Sequence, residues 1–336
     1  MTDAPLDSLL DGPRGRRLCL SLLTAANPSL YTLAFDAERS ADALPALIDA
    51  IDAASAPLDE ASLLDALEDS VSTAAYWQPP YEADMMLQHP SLIEALEPVA
   101  RLVAGAAQTA WWSTPLAVDD QHRVQWTDVS SRPLPTPVST SERVARWREH
   151  TLADERRAAE RPADVTALFG GEWWSTPAHA ELVTTTRALP GLGAAKLRLV
   201  EDGLGWTGAD VTPLRPLAAT RTFEITGPAD WVELAGRYPL EVTLSRRHEW
   251  WQVTGRDGGW VIPDWLAVAS DFDAVHLTVA GYLATAGRAL PVGETATMLA
   301  GWDPDETYWL ADALEQAGAS AHWRRDVSAG GPWSRG

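Results

Sequence analysis

Apolar residues change their spacing near Pro162, and that change limits what this chain can fold into. Before it, "ALPALIDAIDAA", "DEASLLDALEDSV" and "SLIEALEPVARLVAGAA" repeat apolar residues every three or four positions. Leu92, Leu96, Val99 and Val103 then share one stripe, as an amphipathic helix requires, and Pro98 is expected to kink or restart that helix. After Pro162, "KLRLVED", "TRTFEIT", "LEVTLS", "FDAVHLTVAGYL" and "TATMLAGW" combine β-branched or aromatic residues with alternation, the pattern of strands. Between them, "GPADWVELAGRYP", "PDWLAVAS" and "DPDETYWLADALEQAG" read as helices that begin at proline or an acidic cap. The expected fold class is α+β, an N-terminal helical domain followed by a mixed α/β domain with a central sheet. The expected boundaries are an acidic helical domain over 1–110, a linker and exposed helix over 111–162, and a Trp-rich α+β domain over 163–336. "SSRPLPTPVSTS" has the composition of a linker, and Ser141 is the expected N-cap of the helix that follows it.

Charge narrows the partners. The chain carries 47 acidic and 26 basic residues, a formal charge of −21, and residues 1–110 hold 17 of the acidic residues against 5 basic ones. A phosphate backbone is repelled by such a chain, so no nucleic acid is expected as a partner. A basic protein partner fits, because opposite net charges speed encounter. No apolar run approaches the ~18 residues needed to cross a bilayer. "RGRRLCLSLLTAA" superficially resembles a secretory or twin-arginine signal. However, Asp3, Asp7 and Asp11 precede the arginines and Ser21 interrupts the apolar run. The better reading is an amphipathic helix with Asp11 or Gly12 near its N-cap and Pro13 in its first turn, which stops before Asn27-Pro28. No membrane association and a cytoplasmic location are expected. Cys19 is the only cysteine, so no internal disulfide can form.

Sixteen of the 17 tryptophans follow residue 110, and "WWSTP" occurs twice, at 111–115 and 173–177. The flanking sequences differ, which argues against a duplicated repeat unit. One reading makes each copy a structural corner, with Trp112 and Trp174 buried and Thr176 capping a helix begun by Pro177. The other makes Trp173, Trp174, Ser175 and Thr176 a ligand platform, since indole faces stack on sugars, nucleobases and cations.

Linear motifs for chemistry are sparse. No G-x-S-x-G, P-loop or HExxH sequence is present, and the seven histidines are too scattered for a linear metal motif. No metal site is therefore expected, and no cofactor is indicated. On a strand through "DFDAVHLTVAGYL", His276 and Thr278 share a face, which suits hydrogen bonding or proton transfer. Asp271 and Asp273 lie just upstream; Asp303, Asp305 and Glu306 are read as ligand contacts or as a helix start favoured by the macrodipole.

"WWSTP" at 173–177 and "WDPDETYWL" at 302–310 are similar to two motifs of ADP-ribosyltransferases of the clostridial-toxin type. The resemblance implies a nicotinamide pocket shaped by Ser175 and Thr176, with Glu306 stabilising an oxocarbenium-like ribose. Pro177 stands where that family has its second serine, and Asp303-Pro304-Asp305-Glu306 is not Glu-x-Glu. The expected site is therefore His276, Thr278 and Glu306 as catalytic residues, with Trp173, Trp174, Ser175, Thr176, Asp303 and Asp305 as ligand contacts. The functions open to such a chain are binding or transforming a small ligand, masking a basic partner as an immunity or regulatory protein, or consuming NAD as a transferase.

Overall fold

A computed structural model describes residues 8–39, 41–52, 54–128, 138–326 and 331–336. Six helices come first: α1 (Pro13–Ala26), α2 (Pro28–Arg39), α3 (Leu44–Asp52), α4 (Glu60–Ser72), α5 (Glu82–Met86) and α6 (Pro90–Gly105). Their ends are written locally. Gly12 caps α1 with Pro13 at its first position, where no amide donor is lost. Pro28 then disfavours helical geometry at Asn27 and ends it. The Asp59 carboxylate accepts the Ser62 amide at the start of α4. Helix α6 does not restart at Pro98 but runs through it. Pro98 and Glu94 both lie on its exposed face, where water can take the orphaned Glu94 carbonyl. The "RGRR" stretch belongs to α1, with Leu18, Cys19, Leu22 and Leu23 buried. Asp3 and Asp7 lie outside the described residues.

The remainder is strand-rich. Strand β1 (Gln121–Trp126) precedes helix α7 (Thr140–Arg157), and most of the expected linker, 129–137, lies outside the described residues. Ser139, not Ser141, caps α7, accepting the Glu142 amide at 3.3 Å. Nor is α7 simply an exposed helix, because Val144, Trp147, Thr151 and Asp154 are buried. Then follow β2 (Thr184–Thr185), β3 (Ala188–Leu189), β4 (Gly193–Ala194), β5 (Gly208–Pro216), β6 (Thr222–Ile225), α8 (Pro228–Arg237), β7 (Pro239–Glu241), α9 (Thr243–Thr254), β8 (Val261–Pro263) and α10 (Trp265–Asp271). The chain continues with β9 (Ala274–Leu277), α11 (Val279–Thr285), β10 (Leu290–Val292), β11 (Thr295–Thr297), β12 (Thr307–Trp309), β13 (Leu314–Gln316), β14 (Ala321–Arg325) and β15 (Trp333–Arg335). One sheet has the order β1-β5-β14-β15, with β13 also on β5. A second runs β2-β12-β9-β6, where β9 is parallel to β6 and antiparallel to β12, so that Thr307 faces His276. Three two-stranded ribbons complete the set.

Several segments differ from their sequence pattern. Residues 196–202 form the end of a 3-10 helix (Ala195–Leu197) and turns rather than a strand. "LEVTLS" divides between β7 and the first turn of α9. The acidic "DPDETYWLADALEQAG" is not a helix but a turn followed by β12 and β13. Asp305 there has φ 61, a left-handed conformation that a helix start does not contain, and its carboxylate is held by Arg187 instead. Long-range ion pairs override a weak helical preference.

One apolar cluster of buried residues extends from Leu9 to Leu310 and draws on both halves. Helix α1 packs on α4 and α6 and also on α11. A Cβ at Gly12 would sit 2.2 Å from the Leu283 carbonyl oxygen, so glycine permits that contact. Trp112, Trp231, Trp250, Trp260, Trp265, Trp302 and Trp309 are fully buried. Each indole removes roughly 150–250 Å² from water, an upper-bound transfer gain of about 4–6 kcal/mol at ~25 cal/mol/Å². Most of the tryptophan-rich composition is thus core. Among the described residues no helix is long and apolar enough to cross a membrane.

Candidate ligand-binding cleft

The second WWSTP copy is held edge to edge against residues 300–301. The Ser175 amide and Oγ both donate to the Ala300 carbonyl, at 3.0 and 3.1 Å, and Ser175 Oγ accepts the Ala300 amide at 3.0 Å. Thr176 Oγ1 donates to the Gly301 carbonyl at 2.9 Å. The Trp173 and Ser175 carbonyls accept from the indole N–H groups of Trp250 and Trp265. Thr176 is therefore not a helix cap, and Pro177 leads only into a 3-10 turn, Ala178–Ala180. Trp173 is buried and stacks on Trp174 with ring centroids 4.5 Å apart. Trp174 itself is only half-buried. It lies over Gly301, where φ is +77° and a Cβ would fall 2.1 Å from Trp174 Cδ1. The first copy ends a 3-10 helix, with Trp112 buried and Thr114 Oγ1 donating to the Trp111 carbonyl at 2.8 Å.

Helix α7 faces the residues flanking the second copy across a cavity of about 460 Å³. Arg143, Arg146, Trp147 and His150 line one wall, at the three- and four-residue spacing that puts them on one helix face. Glu172, His179 and Glu181 line the other. Below them a recess of about 10 Å³, no larger than one water, is lined by Trp174, Thr176, Asp154 and Arg246.

The cleft is electrostatically mixed. His179 Nε2 lies 3.6 Å from a Glu172 oxygen, and its ring stands edge-on to Trp174 at 4.6 Å. The Glu172 side chain raises the His179 pKa against partial burial. In return His179 lowers that of Glu172, with help from Arg246 and His150. Arg143 pairs with Glu181 at 3.1 Å, and Arg146 pairs with Glu142. Arg246, 4% exposed, donates to the Trp174 carbonyl at 3.2 Å and to Ser245 Oγ at 3.1 Å. Burial pushes its pKa down to about 10, which leaves it charged at neutral pH.

The residues expected from sequence to be catalytic lie elsewhere and are buried. His276, 1% exposed, places Nδ1 2.6 Å from Glu224 Oε2 and Nε2 3.5 Å from Asp305 Oδ1. Burial lowers its pKa, but the Asp305 and Glu224 carboxylates outweigh that and raise it overall. Asp305 accepts from the Arg187 amide at 2.9 Å and from Arg187 Nε at 2.6 Å. Lys196, the only lysine, sits between Asp303 at 2.8 Å and Glu306. Burial opposes the ammonium, yet these two carboxylates hold its pKa above the usual value. Burial also raises the Glu306 pKa, which Lys196 opposes. His276 and Asp305 thus belong to one cluster with Glu224 and Arg187, and Asp303 and Glu306 to a second around Lys196. Thr278 joins neither. The strand stops at Leu277, and Thr278 caps α11 by accepting the Gly281 amide at 2.9 Å while donating to the Ile225 carbonyl at 3.2 Å. Ser175 and Thr176 border the same 300–306 loop, but Glu306 turns into its pair with Lys196.

Among the described residues no three or more His, Cys, Asp or Glu side chains are grouped to hold a metal ion. The sequence reading missed Trp147, His150, Glu172, His179 and Arg246. The "RVARWREH" spacing was the one available signal, since it aligns Arg143, Trp147 and His150 on one face of α7. The chain matches no family model, and no curated protein or solved structure is significantly similar to it.

Proposed function

We propose that this chain binds a small molecule in the cleft between α7 and residues 172–181. The observation that carries this reading is the cleft itself. Its open cavity of about 460 Å³ is inside the 300–1,000 Å³ range of small-molecule sites, and it shares Trp147, His150, Glu172 and His179 with the one-water recess that Trp174 and Thr176 line. The ligand this lining suits has a planar or ring face for the Trp147 indole and acceptor atoms for Arg143, His150 and His179. The His179–Glu172 pair is placed to exchange a proton with it. Binding without turnover is the core of the proposal.

In this reading His276, Asp303, Asp305 and Glu306 are positioning residues. They hold the loop whose Ala300 and Gly301 carbonyls anchor Ser175 and Thr176, and with them the cleft floor. Thr278 fixes the neighbouring helix start. We place the protein in the cytoplasm, which accords with the single thiol, Cys19, being buried and unpaired.

A thermal-shift screen of aromatic and sugar carboxylates and phosphates, followed by calorimetry, tests the proposal. A ligand is expected whose affinity falls about tenfold or more in His150→Ala and His179→Ala, the loss of one hydrogen bond to a charged group each. A ligand bound equally well by both variants places the site elsewhere and sinks the reading.

A further inference from the structure

The "RGRR" stretch, unexplained by the α7 cleft, borders a second cavity of about 430 Å³ where the helical half meets the C-terminal half. Arg14 and Arg16 reach it from the first turn of α1, and Arg288 reaches it from the segment after α11. Tyr76, Tyr81 and Val253 supply apolar wall. Gly287, with φ +74°, brings the Arg288 segment against Tyr76, where a Cβ would sit 2.6 Å from the ring.

The charges here do not cancel. Arg14 is neutralised by Asp84 at 2.5 Å and also donates to the Ser70 carbonyl at 2.9 Å. Arg17 pairs with Asp69 at 3.2 Å. Arg288 donates to the Ala284 carbonyl at 2.7 Å, but its carboxylate partner, Asp11, is 3.9 Å away and 58% exposed. Arg16 has no carboxylate within 4.0 Å among the described residues, and its Nε is buried without an acceptor. Burial, and then Arg288, hold the Arg16 pKa below its usual value, with the more distant Asp84 and Asp11 carboxylates opposing them only in part. In a chain with 47 acidic and 26 basic residues, an unmatched arginine facing a second one is the reverse of the average surface. Two guanidinium groups at the rim of an aromatic-walled cavity are a fork-shaped receptor for a carboxylate or phosphate.

We propose that this inter-lobe cavity binds a small organic anion, a carboxylate or phosphate monoester with an aromatic or apolar body. The charged group bridges Arg16 and Arg288, and the body lies against Tyr76 and Tyr81. The site is separate from the α7 cleft and does not rest on it.

Titration calorimetry of the full chain with benzoate, phenyl phosphate, inorganic phosphate and benzyl alcohol tests this. Saturable binding of benzoate or phenyl phosphate is expected, with no binding of benzyl alcohol, and the preferred head group identifies the anion. Arg16→Gln and Arg288→Gln should each weaken binding about tenfold or more, the loss of one charge-assisted contact. Arg16→Gln should keep the helical circular dichroism and melt no lower than the parent, because it removes a like-charge contact. Tyr81→Ala, at a half-exposed position, should weaken phenyl phosphate more than inorganic phosphate. His179→Ala, in the other cleft, should change nothing. The proposal falls if neither aromatic anion binds at millimolar concentration, if binding survives both arginine variants, or if His179→Ala abolishes it.

Discussion

Thr176 Oγ1 donates to the carbonyl of Gly301 at 2.9 Å, across 125 residues of chain. That bond and the Trp174 indole above Gly301 make the 300–301 turn the support of the cleft floor.

Gly301→Ala should therefore destabilise strongly. The residue is at φ +77°, which costs an L side chain roughly 1–2 kcal/mol, and its Cβ would overlap Trp174, adding about 1–3 kcal/mol of overpacking. Urea denaturation should show a loss of about 2–5 kcal/mol. Thr176→Ala should lose only about 0.5–1.5 kcal/mol, the net worth of one hydrogen bond to a partly buried carbonyl. If the glycine variant costs less than the threonine one, the turn is not the support described.

Lys196→Met leaves Asp303 and Glu306 buried beside no cation. Removing one member of a buried ion pair costs about 3–5 kcal/mol, and chemical denaturation should read that loss. Adding Glu306→Gln to Lys196→Met should restore part of it, because one stranded charge is gone. A double variant less stable than the single one by the full cost of both would rule out coupling between them.

Stability should also depend on pH through His276. Its folded pKa is raised above the ordinary 6.5 by Asp305 and Glu224 against burial. The unfolded state releases its proton first, so this contribution is complete below 6.5 and is lost as pH rises through the folded pKa. His179 shifts in the same direction, so the comparison belongs in a His179→Ala background. There, unfolding free energies at pH 6 to 9 should fall with pH for His276 and stay flatter for His276→Asn. Parallel curves would show that the fold does not raise the imidazole pKa, and the claim would fail.

We propose that residues 1–110 and 163–336 are two lobes of one cooperative unit, since the apolar cluster from Leu9 to Leu310 crosses between them. Calorimetry should give a single unfolding transition with equal calorimetric and van't Hoff enthalpies. The 1–110 fragment alone should unfold without a cooperative step. Two resolved transitions in the full chain would sink this view.

The sequence by itself determined the elements whose signals lie within a few residues of them. Gly12-Pro13 and Asn27-Pro28 bound α1, Asp59 starts α4, and Asp264 starts α10 by accepting amides two and three residues on. The α+β class followed from the change of apolar period. Tertiary structure alone decided the rest, through groups paired across more than a hundred residues: Lys196 with Glu306, Arg187 with Asp305, Thr176 with Gly301. Buried charges and carbonyls cost too much to leave unmatched. Their partners therefore override the weak local preference of 303–318 for helix, move Thr278 from a strand face to a cap, and anchor the second WWSTP copy on residues 300–301. A cap reads from neighbouring residues because it closes within one turn. An ion pair depends on which distant carboxylate the fold delivers, and no spacing along the chain records that.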